Sequence, residues 1–163
     1  MSGGTQLRDG VFGQADASWH WAQFFAGGRY QSTGAAQNFF TPSAGMAAGK
    51  GRLRLRGSVY RGLRAPELNE LYRPFRVGNV QTSANPLLVP EAMFGAETGG
   101  DLSGRTRRLS VTVFRNALNH LITNTTVSTS QDLILRKKEN AGPALSRGVE
   151  AAPSSVGGTG WAS

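Results

Sequence analysis

Cysteine is absent from the 163 residues, which excludes disulfides and thiolate metal sites. Histidine is nearly absent as well: with only His20 and His120, a histidine-built zinc site is not expected. No stretch approaches the roughly 18 consecutive apolar residues of a transmembrane helix, so any membrane span has to be made of strands. Acidic residues are few beside basic ones, 10 against 18, and the net charge of +8 comes mostly from arginine. Such a balance raises nucleic acid or another polyanion as a partner. Enzyme signatures are also missing: there is no G-x-S-x-G elbow, phosphate-binding loop or H-E-x-x-H. Glu97 with Glu91 or Asp101 could be imagined as paired carboxylates, but a charge row along one face of a sheet is the simpler account. No catalytic, cofactor-binding or metal-binding residue is therefore assigned.

What the chain does have is glycine, 22 residues of it, which disfavours helix interiors by about 1 kcal/mol each relative to alanine and favours strands and turns. Period-two alternation follows. Val11, Ala15, Ala17, Trp19 and Trp21 alternate with Gln14, Asp16, Ser18 and His20, and a second run over residues 24–31 completes a hairpin turning near Trp21. Residues 32–38 are loop-like, and residues 40–47 form a weaker strand interrupted by Pro42, closed by a turn at Ala48-Gly49-Lys50. The cleanest strand comes next, with Leu53, Leu55, Gly57 and Val59 alternating with Arg52, Arg54, Arg56, Ser58 and Tyr60. From 61 to 90 the alternation is lost among four prolines, predicting a long loop. Strands resume over 91–101 and around Leu109, Val111 and Val113, which alternate with Arg108, Ser110 and Thr112. A second loop region spans 117–139, in which 132–136 could extend a strand, and a seventh strand runs from Asn140 past Val149. Residues 153–163 read as an irregular tail.

The expected connections alternate short and long along the chain, as in outer-membrane barrels, where one side has tight turns and the other extended loops. Strands of about 9 to 11 tilted residues cross the hydrocarbon layer. An arginine facing lipid at the midplane costs roughly 2–4 kcal/mol, so Arg52, Arg54 and Arg56 are expected to face a lumen, along with Tyr60, Glu97 and Arg108. Leu53, Leu55, Val59, Leu109, Val111 and Val113 are then the lipid-facing set. Trp19, Trp21 and Phe24 fit either an interfacial aromatic girdle or a hydrophobic cluster at a soluble hairpin end.

Four spaced segments carry a family likeness. Arg64-Ala65-Pro66-Glu67-Leu68-Asn69-Glu70-Leu71-Tyr72 resembles the TonB-dependent receptor barrel motif that reads roughly F-R-A-P-x-x-N-E-L-Y. Asn85-Pro86-Leu87-Leu88-Val89-Pro90-Glu91 is similar to the same family's N-P-x-L-x-P-E stretch. Leu109-Ser110-Val111-Thr112-Val113-Phe114-Arg115-Asn116 with Leu121-Ile122, and Asn140-Ala141-Gly142 with Ser146-Arg147-Gly148-Val149-Glu150, resemble the strands that follow. The resemblance implies an all-β fold, an antiparallel up-and-down transmembrane β-barrel fragment of about seven strands, over residues 1–163. Family members have about 22 strands and a plug domain. The resemblance also implies a cell outer membrane location, with the signal peptide upstream of this chain.

Its implied partners are the TonB complex, reached through the missing plug region, outer-membrane lipid, and a small nutrient ligand such as an iron–siderophore complex, cobalamin or an oligosaccharide, with no nucleic acid. The motif residues Arg64, Ala65, Pro66, Leu68, Asn69, Glu70, Leu71 and Tyr72 are expected to organise the base of the long loop, with Asn69, Glu70 and Tyr72 as polar pins. Two other functions remain open on the residues alone. One is a soluble basic β-protein holding nucleic acid through Arg52, Arg54 and Arg56, and the other is a secreted carbohydrate-binding sandwich using the proline-rich loop.

Overall fold

Alternating side chains commit the backbone to extended conformation, and the computed structural model, which describes residues 8–33 and 37–155, is built almost entirely of strands. These are β1 (Arg8–Trp19), β2 (Ala22–Thr33), β3 (Gln37–Lys50) and β4 (Leu53–Arg64), followed by a short helix α1 (Leu68–Tyr72). Then come β5 (Phe75–Val77), β6 (Val80–Ser83), β7 (Glu91–Ser103), β8 (Arg107–Asn119), β9 (Ile122–Thr129), β10 (Ile134–Asn140) and β11 (Ala144–Ser155). Seven of them form one antiparallel sheet in the order β1-β2-β3-β4-β7-β8-β11, a meander in which each long strand pairs with the next long one. A second sheet, β5-β6-β10-β9, is made wholly from the two long connections.

The turns at one end are tight. His20 and Gly51 adopt positive φ, 37° and 62°, as two-residue hairpin turns with the twist of the flanking strands require. At the other end the β4–β7 and β8–β11 connections are long, and each contributes two strands to the second sheet.

Directly opposed residues on neighbouring strands share a face. The register therefore lines up Leu55, Gly100, Val111 and Ala151 on one side of the sheet, and Arg54, Asp101, Ser110 and Ala152 on the other. By the same register Leu53, Val59, Leu109 and Val113 join the first face, and Arg56, Tyr60, Glu97 and Arg108 the second.

Among the described residues nothing covers the apolar face. Among the described residues only Ala22 and Leu88 are buried hydrophobics, whereas Leu55 is 55 % exposed and Val113 47 %. A soluble half-buried sheet would hide that face in a core. The long strands run to 12–14 residues, somewhat more than the hydrocarbon layer needs.

Several sequence expectations change. β3 runs straight through Pro42, which pairs with Gly28 of β2, while the β3–β4 ladder begins only at Ser43. Proline cannot donate to a ladder, so it marks where pairing with β4 stops rather than where the strand ends. The β3–β4 turn lies at Gly51-Arg52, not at Ala48 to Lys50, so Arg52 sits in the turn rather than within the strand. The loop expected over 32–38 shrinks, because Ser32 and Thr33 belong to β2 and Gln37 and Asn38 to β3; residues 34–36 lie outside the described ones. The two long loops contain α1, β5, β6, β9 and β10, and their prolines fall between elements instead of preventing them. β11 starts at Ala144 and extends to Ser155, so Pro153 is strand; the rest of the expected tail lies outside the described residues.

Bulk on the charged face is matched by glycine opposite. A Cβ on Gly95 would overlap the Tyr60 ring and come within 2.7 Å of Asn116 Oδ1. Gly95→Ala is therefore expected to destabilise the sheet by about 1–3 kcal/mol. The check is the denaturant midpoint of the folded protein, which should fall relative to wild type.

Candidate functional site

The two long connections are joined at their base by one polar junction. It begins with Pro66, which is buried and follows Ala65 at the exit of β4. Proline there disfavours helix at the preceding residue, so the chain leaves β4 extended before α1 turns it back. Leu68, Asn69, Glu70, Leu71 and Tyr72 make up the helix. Its Glu70 carboxylate folds back to accept the Glu67 backbone N–H at 2.9 Å.

Arg64 is the hub. Its guanidinium grips Glu91 with two hydrogen bonds, 2.7 and 3.0 Å, and donates to Glu70 at 3.1 Å. The fork geometry of arginine suits such paired carboxylate contacts. Glu91 also accepts the Ile122 N–H at 2.7 Å, and Lys138 Nζ lies 3.5 Å from Glu70. One arginine and two carboxylates thus tie the end of β4, helix α1, the start of β7, the start of β9 and strand β10.

Asparagines complete the junction. Asn85 donates to the Lys138 carbonyl at 2.8 Å while its Oδ1 accepts the Leu87 N–H at 3.0 Å. Asn140 exchanges two hydrogen bonds of 2.9 Å with the Val89 backbone and donates to the His120 carbonyl at 2.7 Å. Four of the buried groups, Glu70, Thr82, Asn85 and Leu88, belong to the β4–β7 connection. Buried polar groups have to be hydrogen-bonded, and here each long connection satisfies the other.

Of the residues expected to pin the loop, Glu70 is at the centre. Asn69 contributes its carbonyl, which accepts the Arg73 N–H at 3.2 Å, and Tyr72 is 65 % exposed at the surface of α1. Glu91, Asn85 and Asn140 lay in the family-like segments but were not singled out as site residues. Lys138 had no sequence signal. Arg136, its neighbour but one on β10, has a buried Nε without a hydrogen-bond partner among the described residues.

A second polar set lines the charged face of the large sheet. Arg56 bonds Asp101 at 2.7 Å and also donates to Ser110 and Thr112; Ser58 donates to Glu97 at 2.9 Å and Tyr60 to Asn116 at 3.1 Å. The row links β4, β7 and β8. Arg56 is thus occupied and Arg52 is in a turn, so the three arginines do not form the free basic strip that phosphate contacts would use. No group of three or more His, Cys, Asp or Glu suited to a metal ion occurs among the described residues.

Comparison with known proteins adds a family and a fold. A family profile described as TonB dependent receptor-like, beta-barrel, matches residues 2–162. No curated protein sequence matches. Among solved structures, the siderophore receptor PirA from Pseudomonas aeruginosa superposes with a TM-score of 0.80 at 17% identity, over 90% of this chain and 30% of that one. The ferric enterobactin receptor PfeA, also from Pseudomonas aeruginosa, gives 0.74 at 18% identity, over 88% and 24%. The FrpB iron transporter from Neisseria meningitidis gives 0.67 at 17%, over 94% and 24%. The chain spans less than a third of the length of each.

Acidity should loosen the junction. Burial pushes the Glu70 carboxyl up, but the Glu67 N–H, Arg64 and Lys138 together outweigh it, and its pKa lies below the usual 4.5. A group depressed in the folded state stabilises fully above its unfolded pKa, and that stabilisation is lost as pH falls through the folded value. Amide hydrogen exchange over 65–90 and 122–140 in the full-length protein should therefore accelerate below about pH 4. Glu70→Gln should accelerate it already at neutral pH, by about 1–2 kcal/mol of local opening energy, and flatten the acid dependence.

Proposed function

Because the chain belongs to the TonB dependent receptor-like β-barrel family, whose members are outer-membrane transport receptors rather than enzymes, we propose that it supplies seven wall strands of such a receptor. The observation that carries this reading is the uncovered apolar face: leucines and valines stand in solvent on one side while ion pairs and hydrogen bonds occupy the other. In lipid the energetics reverse, since the apolar side chains meet hydrocarbon and the polar row meets a wet lumen. Among the described residues the seven-stranded sheet leaves the outer edges of β1 and β11 unpaired, which hydrocarbon does not tolerate, so further strands have to close the wall.

On this reading Leu53, Leu55, Val59, Leu109, Val111 and Val113 face lipid, and Arg54, Arg56, Tyr60, Glu97 and Arg108 face the lumen. The tight turns at 20–21, 51–52 and 104–106 lie on the periplasmic side and the long connections outside the cell. The junction of Arg64, Glu70, Glu91, Asn85, Lys138 and Asn140 holds the outer loops upright. The receptor imports a scarce nutrient, for which an iron–siderophore complex is the first choice among the candidates, with energy delivered by TonB through a plug outside this chain. The similar solved structures, a siderophore receptor, a ferric enterobactin receptor and an iron transporter, support that choice by analogy of fold alone.

Two measurements test the reading in the full-length receptor. Leu55→Arg should reduce the heat-modifiable outer-membrane form severalfold, whereas Arg54→Leu should leave it near wild type, given the depth-dependent cost of about 2–4 kcal/mol for arginine in lipid. Equal tolerance at both positions contradicts the assignment of faces. Separately, purified receptor should bind ferric enterobactin at least about tenfold more tightly than cobalamin; the reverse order overturns the siderophore choice and leaves the barrel intact.

A further inference from the structure

The uncovered face is not uniformly apolar. Register places Arg61, Arg115 and Arg147 on the same side as Leu55 and Val113, all three exposed and all towards the long-connection end of their strands. Arg115 and Arg147 are directly opposed across the β8–β11 ladder. Like charges in that position repel each other. None of the three belongs to any ion pair among the described residues. The only acidic residue of the seven-stranded sheet on this face is Asp9, on the far edge strand β1.

Beside Arg115 the face is hollowed. Gly57 lies opposite Met46 and Thr98, and a trough forms over it, walled by Phe24, Met46, Val59 and Val113 and ended by Arg115. A Cβ on Gly57 would meet only ordinary contacts, the Glu97 carbonyl at 3.5 Å and Thr98 Oγ1 at 3.8 Å, so a side chain there would rise into the trough without displacing the backbone. Its lining is almost wholly apolar apart from the arginine. An acyl chain fits the floor, and an anion fits the end.

Building on the membrane reading above, we infer that this face carries a specific site for a phosphate-bearing lipid of the leaflet next to the long connections. The acyl chain lies in the Gly57 trough. The headgroup phosphate sits between Arg115 and Arg147, with Arg61 as a flanking cation, and relieves the repulsion between the opposed guanidiniums through charge-assisted hydrogen bonds. The bound anion also explains how arginines are accommodated on a face otherwise given to hydrocarbon.

The test uses the full-length receptor in detergent, titrated with phosphatidic acid and with phosphatidylcholine and read by native mass spectrometry. Wild type should bind phosphatidic acid about tenfold more tightly than phosphatidylcholine. Arg115→Gln combined with Arg147→Gln should abolish that preference, and Gly57→Leu should lower the occupancy of both lipids. A double variant that keeps the wild-type preference, or a wild type without one, overturns the site. Should the double variant not fold, the wild-type preference and the Gly57→Leu variant still decide. Heat-modifiability of wild type is recorded alongside: its loss refutes the barrel reading, whereas a heat-modifiable receptor without lipid preference refutes only this inference.

Discussion

The backbone ladder from β1 to β11 has to do here what a hydrophobic core does in a water-soluble protein. Among the described residues almost nothing apolar is buried, so side-chain packing cannot hold the sheet together, and the strands are joined by N–H to C=O pairing along most of their length. In water that pairing contributes little net stability, because the unfolded chain is hydrogen-bonded to solvent instead. In hydrocarbon the alternative is an unsatisfied polar group costing several kcal/mol, and the ladder becomes the dominant constraint. Every other feature follows from keeping that ladder regular: long strands of similar length, tight turns at one end, and the irregular chain pushed to the other.

Regularity also sorts the side chains. Each position has a fixed side, so polar groups gather on one face, where Arg56, Asp101, Ser110 and Thr112 brace three adjacent strands. The apolar positions gather outside, where their exposure is a liability only in water. The second sheet obeys a different rule. It lies beyond the ladder and is mixed, with β6 and β10 parallel, and it is stabilised by a polar junction in which Glu70 and Asn85 are buried. Arg64 and Glu91 stand at the boundary between the two regimes, at the last residue of β4 and the first of β7.

The outward face shows where the two regimes overlap. Arg115 and Arg147 sit in a register position that the ladder assigns to the outside, although their chemistry belongs with the polar groups. On the lipid-site proposal, an anion from the membrane reconciles the position with the charge.

Much of the wall was legible in the sequence because its signal is local. Alternation at period two depends only on neighbouring residues, so the two sets headed by Leu55 and Arg54 could be separated without knowing which strands pair. Proline misled where it marked the end of a ladder rather than of a strand, as at Pro42, since which neighbour a strand faces is not written in its own residues. Apart from the strand suggested over 132–136, which overlaps β10, the small sheet was invisible for the same reason: β6 finds its parallel partner β10 far along the chain, and the three or four residues of β5 and β6 carry no readable period. The motif segments pointed to the loop base, but the meeting of Glu70 with Lys138, and of Arg115 with Arg147, required the chain to be folded. The sequence alone determined the faces, because side-chain direction is fixed by strand geometry. The tertiary structure decided the contacts between distant segments, because those depend on register and on where the long connections return.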